Sequence, residues 1–195
     1  MSSDEGKIQI LVIIGSTRQH RFAPTVEQWF MSRTAERSDM NFAVADLRDW
    51  MFHYYDAPLP ASRAQYDDES QRWAEVVGAS DGFVIVTPEY NHGYPAILKS
   101  ALDAVYHEWV RKPVAFVSFG GWSGGVRAVE QLRQVAVELQ MAPTRASVVI
   151  QFAPRVFDAD GTLQNPDLLN TSATTLLDDL SWWAHALRAA RAATR

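Results

Sequence analysis

Short apolar runs alternate with longer amphipathic segments along nearly the whole 195-residue chain. The apolar runs, rich in Val, Ile, Leu and Phe, are typical of strands that are buried on both faces. They predict strands at residues 7–14, 41–47, 82–87, 113–119 and 146–150. The segments between them repeat apolar residues at helical spacing. They predict helices at residues 24–37, 68–78, 95–108, 124–140 and 166–190.

This alternation of strands and helices indicates an α/β fold, a doubly wound parallel sheet with helices on both faces. No repeat, low-complexity stretch or linker interrupts it, so we expect a single domain over residues 1–195. Residues 1–6 are expected to form a polar tail, and residues 188–195 a helix end that frays.

The segment Thr87–Pro95 separates the apolar run Phe83–Val86 from a helix that Pro95 opens. Open α/β sheets bind ligands at such turns, beyond the carboxyl ends of buried parallel strands. Tyr90 offers a flat aromatic surface, and Asn91 an amide that both donates and accepts hydrogen bonds. A ligand-binding loop is therefore predicted, and an ordinary strand-to-helix loop is the alternative.

The segment Gly15–Ala23 follows the first predicted strand and leads into a helix that Pro24 begins. The N-terminus of a helix attracts anions through its free N–H groups and its dipole. Ser16, Arg18 and Arg21 add hydroxyl and guanidinium donors that suit phosphate oxygens. With one glycine and no Gly-Lys-Ser/Thr ending, the loop matches neither dinucleotide-binding nor Walker A motifs. The alternative to a phosphate site is an exposed loop with solvated arginines.

A third loop, Gly120–Gly125, follows the strand predicted at 113–119 and contains four glycines in six positions. Glycines allow the backbone to approach a ligand closely and to adopt positive φ. Because it leaves the carboxyl end of a strand like the other two loops, a flexible surface turn is the weaker interpretation.

These three loops, in this order and spacing, resemble those of the NADPH-dependent FMN reductase family. The motifs are Gly15-Ser16-Thr17-Arg18, Pro88-Glu89-Tyr90-Asn91-His92-Gly93 and Ser118-Phe119-Gly120-Gly121. The resemblance extends from about Lys7 to the last helix. It implies a flavodoxin-like fold with a five-stranded sheet of order 2-1-3-4-5. In a doubly wound sheet of that order, FMN binds where strands one and three diverge.

The resemblance also implies which residues bind FMN. The first loop would hold the phosphate, the second would flank the isoalloxazine ring, and the third would close over the ring's other edge. The residues so implied are Ser16, Arg18, Arg21, Phe22, Pro88, Glu89, Tyr90, Asn91, Ser118, Gly120 and Gly121. The chain departs from the family at Arg21 and Ala23, where serine and asparagine are common.

The family's activity implies an enzyme that takes a hydride from NADPH or NADH. It would pass the hydride through FMN to a quinone, an azo compound or a free flavin. Because one site must hold the nicotinamide and then the acceptor, we expect a ping-pong mechanism. We name no catalytic side chain and no metal ligand, because the cofactor carries the chemistry.

Composition and charge exclude several other classes of protein. The chain has no cysteine, which excludes disulfides, thiolate metal sites and a cysteine nucleophile. The net charge of −5 argues against a nucleic-acid partner. No apolar run is long enough to span a bilayer, and the polar first residues are not a signal peptide, so we expect a cytoplasmic protein without a membrane partner.

Grouped aromatic residues suggest a homodimer or homotetramer with FMN near the interface. Trp50, Phe52, Tyr54 and Tyr55 lie on a connection expected at the surface, and Trp109 extends the helix after Pro95. The competing interpretation is that these aromatics pack within one subunit.

Two other functions deserve comparison with a reductase. Gly121–Gly125 matches the G-x-S-x-G motif of hydrolases, with Asp158 and His185 following Ser123 in triad order. However, His185 falls inside a predicted helix, and the Ser16–Arg21 loop would be left without a role. A flavodoxin-like electron carrier is the other alternative, and Arg18 and Arg21 argue against it, because flavodoxin phosphate loops usually lack arginine.

Overall fold

The computed structural model describes residues 6–53 and 57–194. Its sheet has five parallel strands in the order β2-β1-β3-β4-β5. The strands are β1 Ile8–Ile14, β2 Met40–Asp46, β3 Gly82–Pro88, β4 Pro113–Phe119 and β5 Ala142–Ile150. The helices are α1 Ala23–Thr34, α2 Asp68–Gly78, α3 Ala96–Asp103, α4 Val126–Glu138, α5 Ala153–Val156 and α6 Pro166–Ala193, with a 3-10 turn at Leu47–Asp49. The predicted flavodoxin-like fold and strand order are confirmed.

Helices cover both faces of the sheet, and side chains of each central strand point alternately to opposite faces. In β1, Ile10 and Val12 belong to the core beneath α1 and α6. Leu11 and Ile13, on the other face, pack into the core beneath α2, α3 and α4. This is why β1, β3 and β4 are almost continuously apolar, as two-sided burial requires.

The helix predicted at 95–108 is shorter in the structure and ends at Asp103. Trp109 folds back on the helix end, and its indole Nε1 donates to the carbonyl oxygens of Leu102 and Val105 at 3.1 and 3.0 Å. These two bonds satisfy carbonyls that a helix end leaves without partners. Trp109 is completely buried.

The sequence predicted that Trp109 and the aromatic residues of the 50–55 segment face a partner subunit, and this prediction is wrong for Trp109. Trp50 and Phe52 are half-buried, and their rings stand 4.8 and 5.5 Å from that of Trp73, whose side chain is fully buried. Tyr54 and Tyr55 lie outside the described residues. For Trp109, Trp50 and Phe52, packing within one subunit is the arrangement observed.

Strand β5 lies at the edge of the sheet and begins at Ala142, four residues before its predicted start. Its register against β4 shifts between Val114 and Phe116, so the segment 144–146 is irregular. Arg133 donates to the carbonyls of Thr144 and Arg145 at 2.6 and 3.3 Å, and the Ala146 N–H donates to Asp179 at 3.3 Å. Side chains thus satisfy backbone groups in the irregular segment.

Helix α6 continues to Ala193, where we expected a frayed end from residue 188. Arg188 donates to the carbonyls of Lys7 and Gly6 at 2.8 and 2.7 Å. Arg191 pairs with Asp81 at 2.9 Å. These bonds hold the last turns of α6 against the amino edge of the sheet. Of the helices in the described part of the chain, none is both long and apolar enough to cross a membrane.

Candidate functional site

The carboxyl ends of β1, β3, β4 and β5 surround a cleft of about 460 Å³. Seven of the eleven predicted binding residues line it: Arg18, Phe22, Pro88, Glu89, Tyr90, Gly120 and Gly121. The structure therefore brings all three predicted loops to one site. The other four residues, Ser16, Arg21, Asn91 and Ser118, lie behind or beside the cleft wall.

The loop after β1 presents donors that have no protein partner. Ser16 is fully buried, and its Oγ makes no hydrogen bond with any described residue. The loop is fixed just before it, because the Gly15 N–H donates to the Val86 carbonyl at 2.8 Å. Arg18 lines the cleft, is exposed, and pairs with no carboxylate among the described residues. Phe22 stands directly before α1, whose first turn leaves backbone N–H groups free.

Arg21 has different partners from those we predicted. Its guanidinium binds the Asp46 carboxylate through Nη1, at 2.7 Å from Oδ1, and through Nη2, and it also donates to the Ser16 carbonyl. Burial raises the pKa of Asp46, but the bond from Arg21 and its other hydrogen bonds outweigh burial and hold that pKa below its usual range. Arg21 is therefore committed to a partly buried ion pair that braces the loop from behind.

The loop after β3 contains a tight hairpin. Tyr90 and Gly93 exchange backbone hydrogen bonds of 2.8 and 3.0 Å, and the intervening Asn91 and His92 have φ of 50° and 70°. Two consecutive positive φ values define a type I′ turn, and asparagine tolerates that conformation well. Gln131 of α4 fixes the turn by donating to the His92 carbonyl at 2.8 Å. The hairpin thus presents Tyr90 to the cleft, while Asn91 serves the turn.

Glu89 connects the loop after β3 to the start of α4. Its carboxylate accepts from the Arg127 N–H at 3.1 Å and from the Arg127 guanidinium at 2.8 Å. Burial raises the pKa of Glu89, but bonds from Arg127 and Ser123 outweigh it and lower that pKa overall. Glu89 is therefore ionised at neutral pH and ties two cleft loops together.

The glycines after β4 have two separate uses. Gly124 and Gly125 have φ of 61° and 90°, and a Cβ on Gly125 would lie 2.7 Å from that of Ser118. Ser118 is fully buried, so it supports this turn from behind and does not line the cleft. A Cβ on Gly121 would meet no atom within 4 Å, so this glycine leaves open space at the cleft wall.

A fourth wall of the cleft escaped the sequence analysis. It is the segment 152–155 after β5, and its backbone is bonded to the glycine loop. The Phe152 N–H donates to the Gly121 carbonyl at 3.0 Å, and the Ala153 N–H to the Gly120 carbonyl at 3.3 Å. The position of this segment, beyond the carboxyl end of a parallel strand, is the signal that could have identified it.

The side chains proposed for a hydrolase triad are not assembled. Ser123 hydrogen-bonds to Glu89, whereas His185 Nδ1 lies 2.9 Å from the Ser181 carbonyl within α6. Asp158 accepts from the N–H groups of Asp160 and Thr162 in a turn of its own. Over residues 6–53 and 57–194, no three His, Asp or Glu side chains group as metal ligands do.

Comparisons with known proteins agree with the geometry of this cleft. The family model of NADPH-dependent FMN reductases matches residues 8–155. An NAD(P)H-dependent FMN reductase of Schizosaccharomyces pombe is 40% identical over 147 residues, which are 73% of each chain. One from Saccharomyces cerevisiae is 38% identical over 147 residues, 69% of this chain and 76% of its own.

A solved structure of a flavoenzyme has the same fold as this chain. FerB, a flavoenzyme NAD(P)H:(acceptor) oxidoreductase from Paracoccus denitrificans, superposes with a TM-score of 0.72. The alignment covers 92% of this chain and 98% of FerB at 20% sequence identity, so it establishes the shared fold.

Proposed function

The chain belongs to the NADPH-dependent FMN reductase family and is an oxidoreductase that uses FMN as cofactor and NAD(P)H as co-substrate. We propose that it reduces a quinone, azo or flavin-type acceptor at the cleft. FMN held by Ser16, Arg18 and Tyr90 would supply the capacity to accept a hydride from the nicotinamide and to reduce the acceptor. A 2-hydroxy-1,4-benzoquinone reductase of Burkholderia sp., 26% identical over 187 residues, supports the choice of a quinone.

The observation that carries this proposal is the buried Ser16 hydroxyl without a protein partner. Buried hydroxyls normally have hydrogen-bond partners, so an exception calls for an explanation such as a ligand. A phosphate monoester fits this loop, because Arg18 follows Ser16 by two residues and α1 begins at Ala23, and both favour an anion. The open space at Gly121 and the exposed ring of Tyr90 suit a flat heterocycle.

The protein's own residues would bind and orient the cofactor. Ser16 and Arg18 would hold the phosphate, while Arg21 keeps their loop in place through Asp46. Tyr90, Gly120 and Gly121 would enclose the ring between two loops that Glu89 and Arg127 join. Because these loops are bonded to one another, they hold the ring in a fixed orientation toward its reaction partners.

We propose a ping-pong mechanism because the cleft has the size of a site for one ligand. With FMN in place, the nicotinamide and the acceptor would have to approach the same open side in turn. Initial rates at several fixed quinone concentrations should then give parallel double-reciprocal lines. Intersecting lines would mean that both substrates bind together, and would refute this mechanism.

The phosphate assignment is tested by comparing two flavins. Arg18→Ala should weaken FMN binding by about 1.5–3 kcal/mol, the value of a hydrogen bond to a charged group. Riboflavin, which has no phosphate, should bind the variant nearly as well as the native chain. Equal losses for both flavins would show that Arg18 does not contact phosphate.

We propose a cytoplasmic location, which the lack of cysteine favours. We also propose that the protein is a homodimer or homotetramer. The support for assembly is the exposed aromatic surface near the cleft, where Trp122 is 71% exposed and next to Gly121. Light scattering at low micromolar concentration tests the assembly. A particle near 21.9 kDa that binds FMN and turns over would refute it.

A further inference from the structure

A second cavity of about 620 Å³ lies beside the cleft and shares two residues with it, Phe152 and Arg155. We propose that this cavity, called here the side groove, binds the adenosine half of the nicotinamide dinucleotide. In this arrangement Arg155 contacts the pyrophosphate, and Phe152 positions Arg155. The inference rests on the proposed function, and it adds a subsite for a substrate.

Arg155 is a cation without a protein counterion at the junction of the two cavities. It is exposed, and no carboxylate of the described residues pairs with it, in contrast to Arg21 and Arg127, which bind Asp46 and Glu89. Its guanidinium carbon lies 5.2 Å from the centroid of the Phe152 ring. A planar guanidinium supported by a ring is well placed to bind a phosphate group through two N–H donors.

Phe152 has a backbone conformation that needs a reason. Its φ is 48°, which is strained for a bulky side chain that is not glycine. The conformation is enforced from both sides, since the Phe152 N–H donates to Gly121 and its carbonyl accepts from the Arg155 N–H at 2.7 Å. Such strain concentrates at functional sites. Here it leaves a phenylalanine ring 40% exposed between the cavities and against Arg155.

The walls of the side groove beyond this junction are mainly apolar. They include Val149 from β5 together with Leu168 and Leu169 from the first turns of α6, and Leu168 is 76% exposed. Asn165 contributes an amide that can donate and accept hydrogen bonds. A flat heterocycle with exocyclic nitrogen, such as adenine, suits apolar walls with one amide.

Continuity between the cavities favours the dinucleotide over an unrelated ligand. If FMN fills the cleft, a nicotinamide placed against it must carry its other half out of the cleft. The side groove is directly adjacent, and the cation between the two cavities matches the pyrophosphate between the two halves of the dinucleotide. Arg155 at this junction would contact NADH and NADPH alike.

The test uses the FMN-loaded protein and ADP-ribose, which keeps the pyrophosphate but cannot transfer a hydride. Calorimetry should detect binding to the native chain. Arg155→Gln should weaken binding about tenfold, the loss of roughly one charge-assisted hydrogen bond, while Arg155→Lys should bind with intermediate affinity. Arg145→Gln, which changes an exposed arginine of β5 outside both cavities, should bind like the native chain.

Two further measurements separate this role from a structural one. Arg155→Gln should raise KM for NADH and for NADPH by similar factors and leave kcat and FMN affinity unchanged. Phe152→Gly removes the ring but suits a positive φ, so the protein should unfold at an unchanged or higher temperature while ADP-ribose affinity falls.

Each contrary result has a distinct meaning. If ADP-ribose fails to bind, or binds Arg155→Gln normally, while NADH or NADPH still reduces the flavin, the side groove inference is wrong and the proposed function stands. If neither NADH nor NADPH reduces the flavin, the proposed function fails. A loss of FMN affinity in Arg155→Gln, a raised KM for the quinone alone, or an effect on NADPH alone would each overturn the contact with pyrophosphate.

Discussion

Replacing Ser16 by alanine should shift FMN affinity and the stability of the FMN-free protein in different directions. The Ser16 side chain is fully buried at the end of β1, and its hydroxyl has no partner within the described ranges. A buried hydroxyl left without a hydrogen bond costs about 1–3 kcal/mol. Ser16→Ala removes this cost, so the free energy of unfolding without FMN should stay level or rise by about 1 kcal/mol.

The same substitution should weaken FMN binding. If the hydroxyl donates to the phosphate, the lost bond is one to a charged group, worth about 1.5–3 kcal/mol, or about 10- to 150-fold in affinity. Riboflavin affinity should remain nearly unchanged, because riboflavin has no phosphate. The opposite signs distinguish a binding hydroxyl from one that merely packs.

Urea unfolding of the FMN-free protein and fluorescence titration with FMN and riboflavin provide the two measurements. Ser80→Ala is the matched control, since Ser80 is also buried but its Oγ donates to the Val76 carbonyl at 3.0 Å. The control should lose about 0.5–1.5 kcal/mol of stability and keep its FMN affinity.

The reasoning fails if Ser16→Ala destabilises the FMN-free protein as much as Ser80→Ala does, because the hydroxyl would then have a partner. It also fails if FMN and riboflavin lose equal affinity, because the hydroxyl would then not face the phosphate.

Gly125→Ala should lower the free energy of unfolding by about 1–3 kcal/mol, because its φ of 90° and the 2.7 Å approach to Ser118 leave no room for a Cβ. Gly121→Ala, with open space at that position, should leave thermal unfolding unchanged but weaken FMN binding; equal melting losses in both variants would contradict this difference. Glu89→Gln tests the buried carboxylate, whose pKa burial raises but bonds from Arg127 and Ser123 lower below the ordinary 4.5. The stability advantage of the native chain over Glu89→Gln should be complete above about pH 4.5 and disappear as the pH falls through the lowered pKa of Glu89; urea unfolding from pH 7 to 3 measures it, and a constant difference would refute it.

The fold could be predicted from the sequence because its signals are local and repeated. Fully apolar runs identified the central strands, and the chain's alternation of strands and helices identified the parallel sheet. The errors arose where individual side chains, and not the repeating pattern, decide where an element begins or ends. Trp109 ends α3 early by bonding to the carbonyls of Leu102 and Val105. Pro143 and Arg145 are unusual in strands, so the sequence does not indicate that β5 begins before them, although an edge strand tolerates both.

The site was predicted in part for a similar reason. The carboxyl ends of parallel strands lie at the same edge of a sheet, so the sequence alone could bring Arg18, Tyr90 and Gly121 to one cleft. The side chain of Arg21 could not be placed, because its partner Asp46 is 25 residues away and nothing local joins them. The segment 152–155 was missed because its apolar residues resemble a core segment more than a binding loop.

The irregular segment of β5 affects how chains can meet one another. An exposed edge strand is normally a template on which a second chain can add a strand and begin to aggregate. In β5 the carbonyls of Thr144 and Arg145 and the N–H of Ala146 already bond to Arg133 and Asp179. A second copy cannot pair with this stretch without breaking those bonds, so this edge resists growth of the sheet into a fibril.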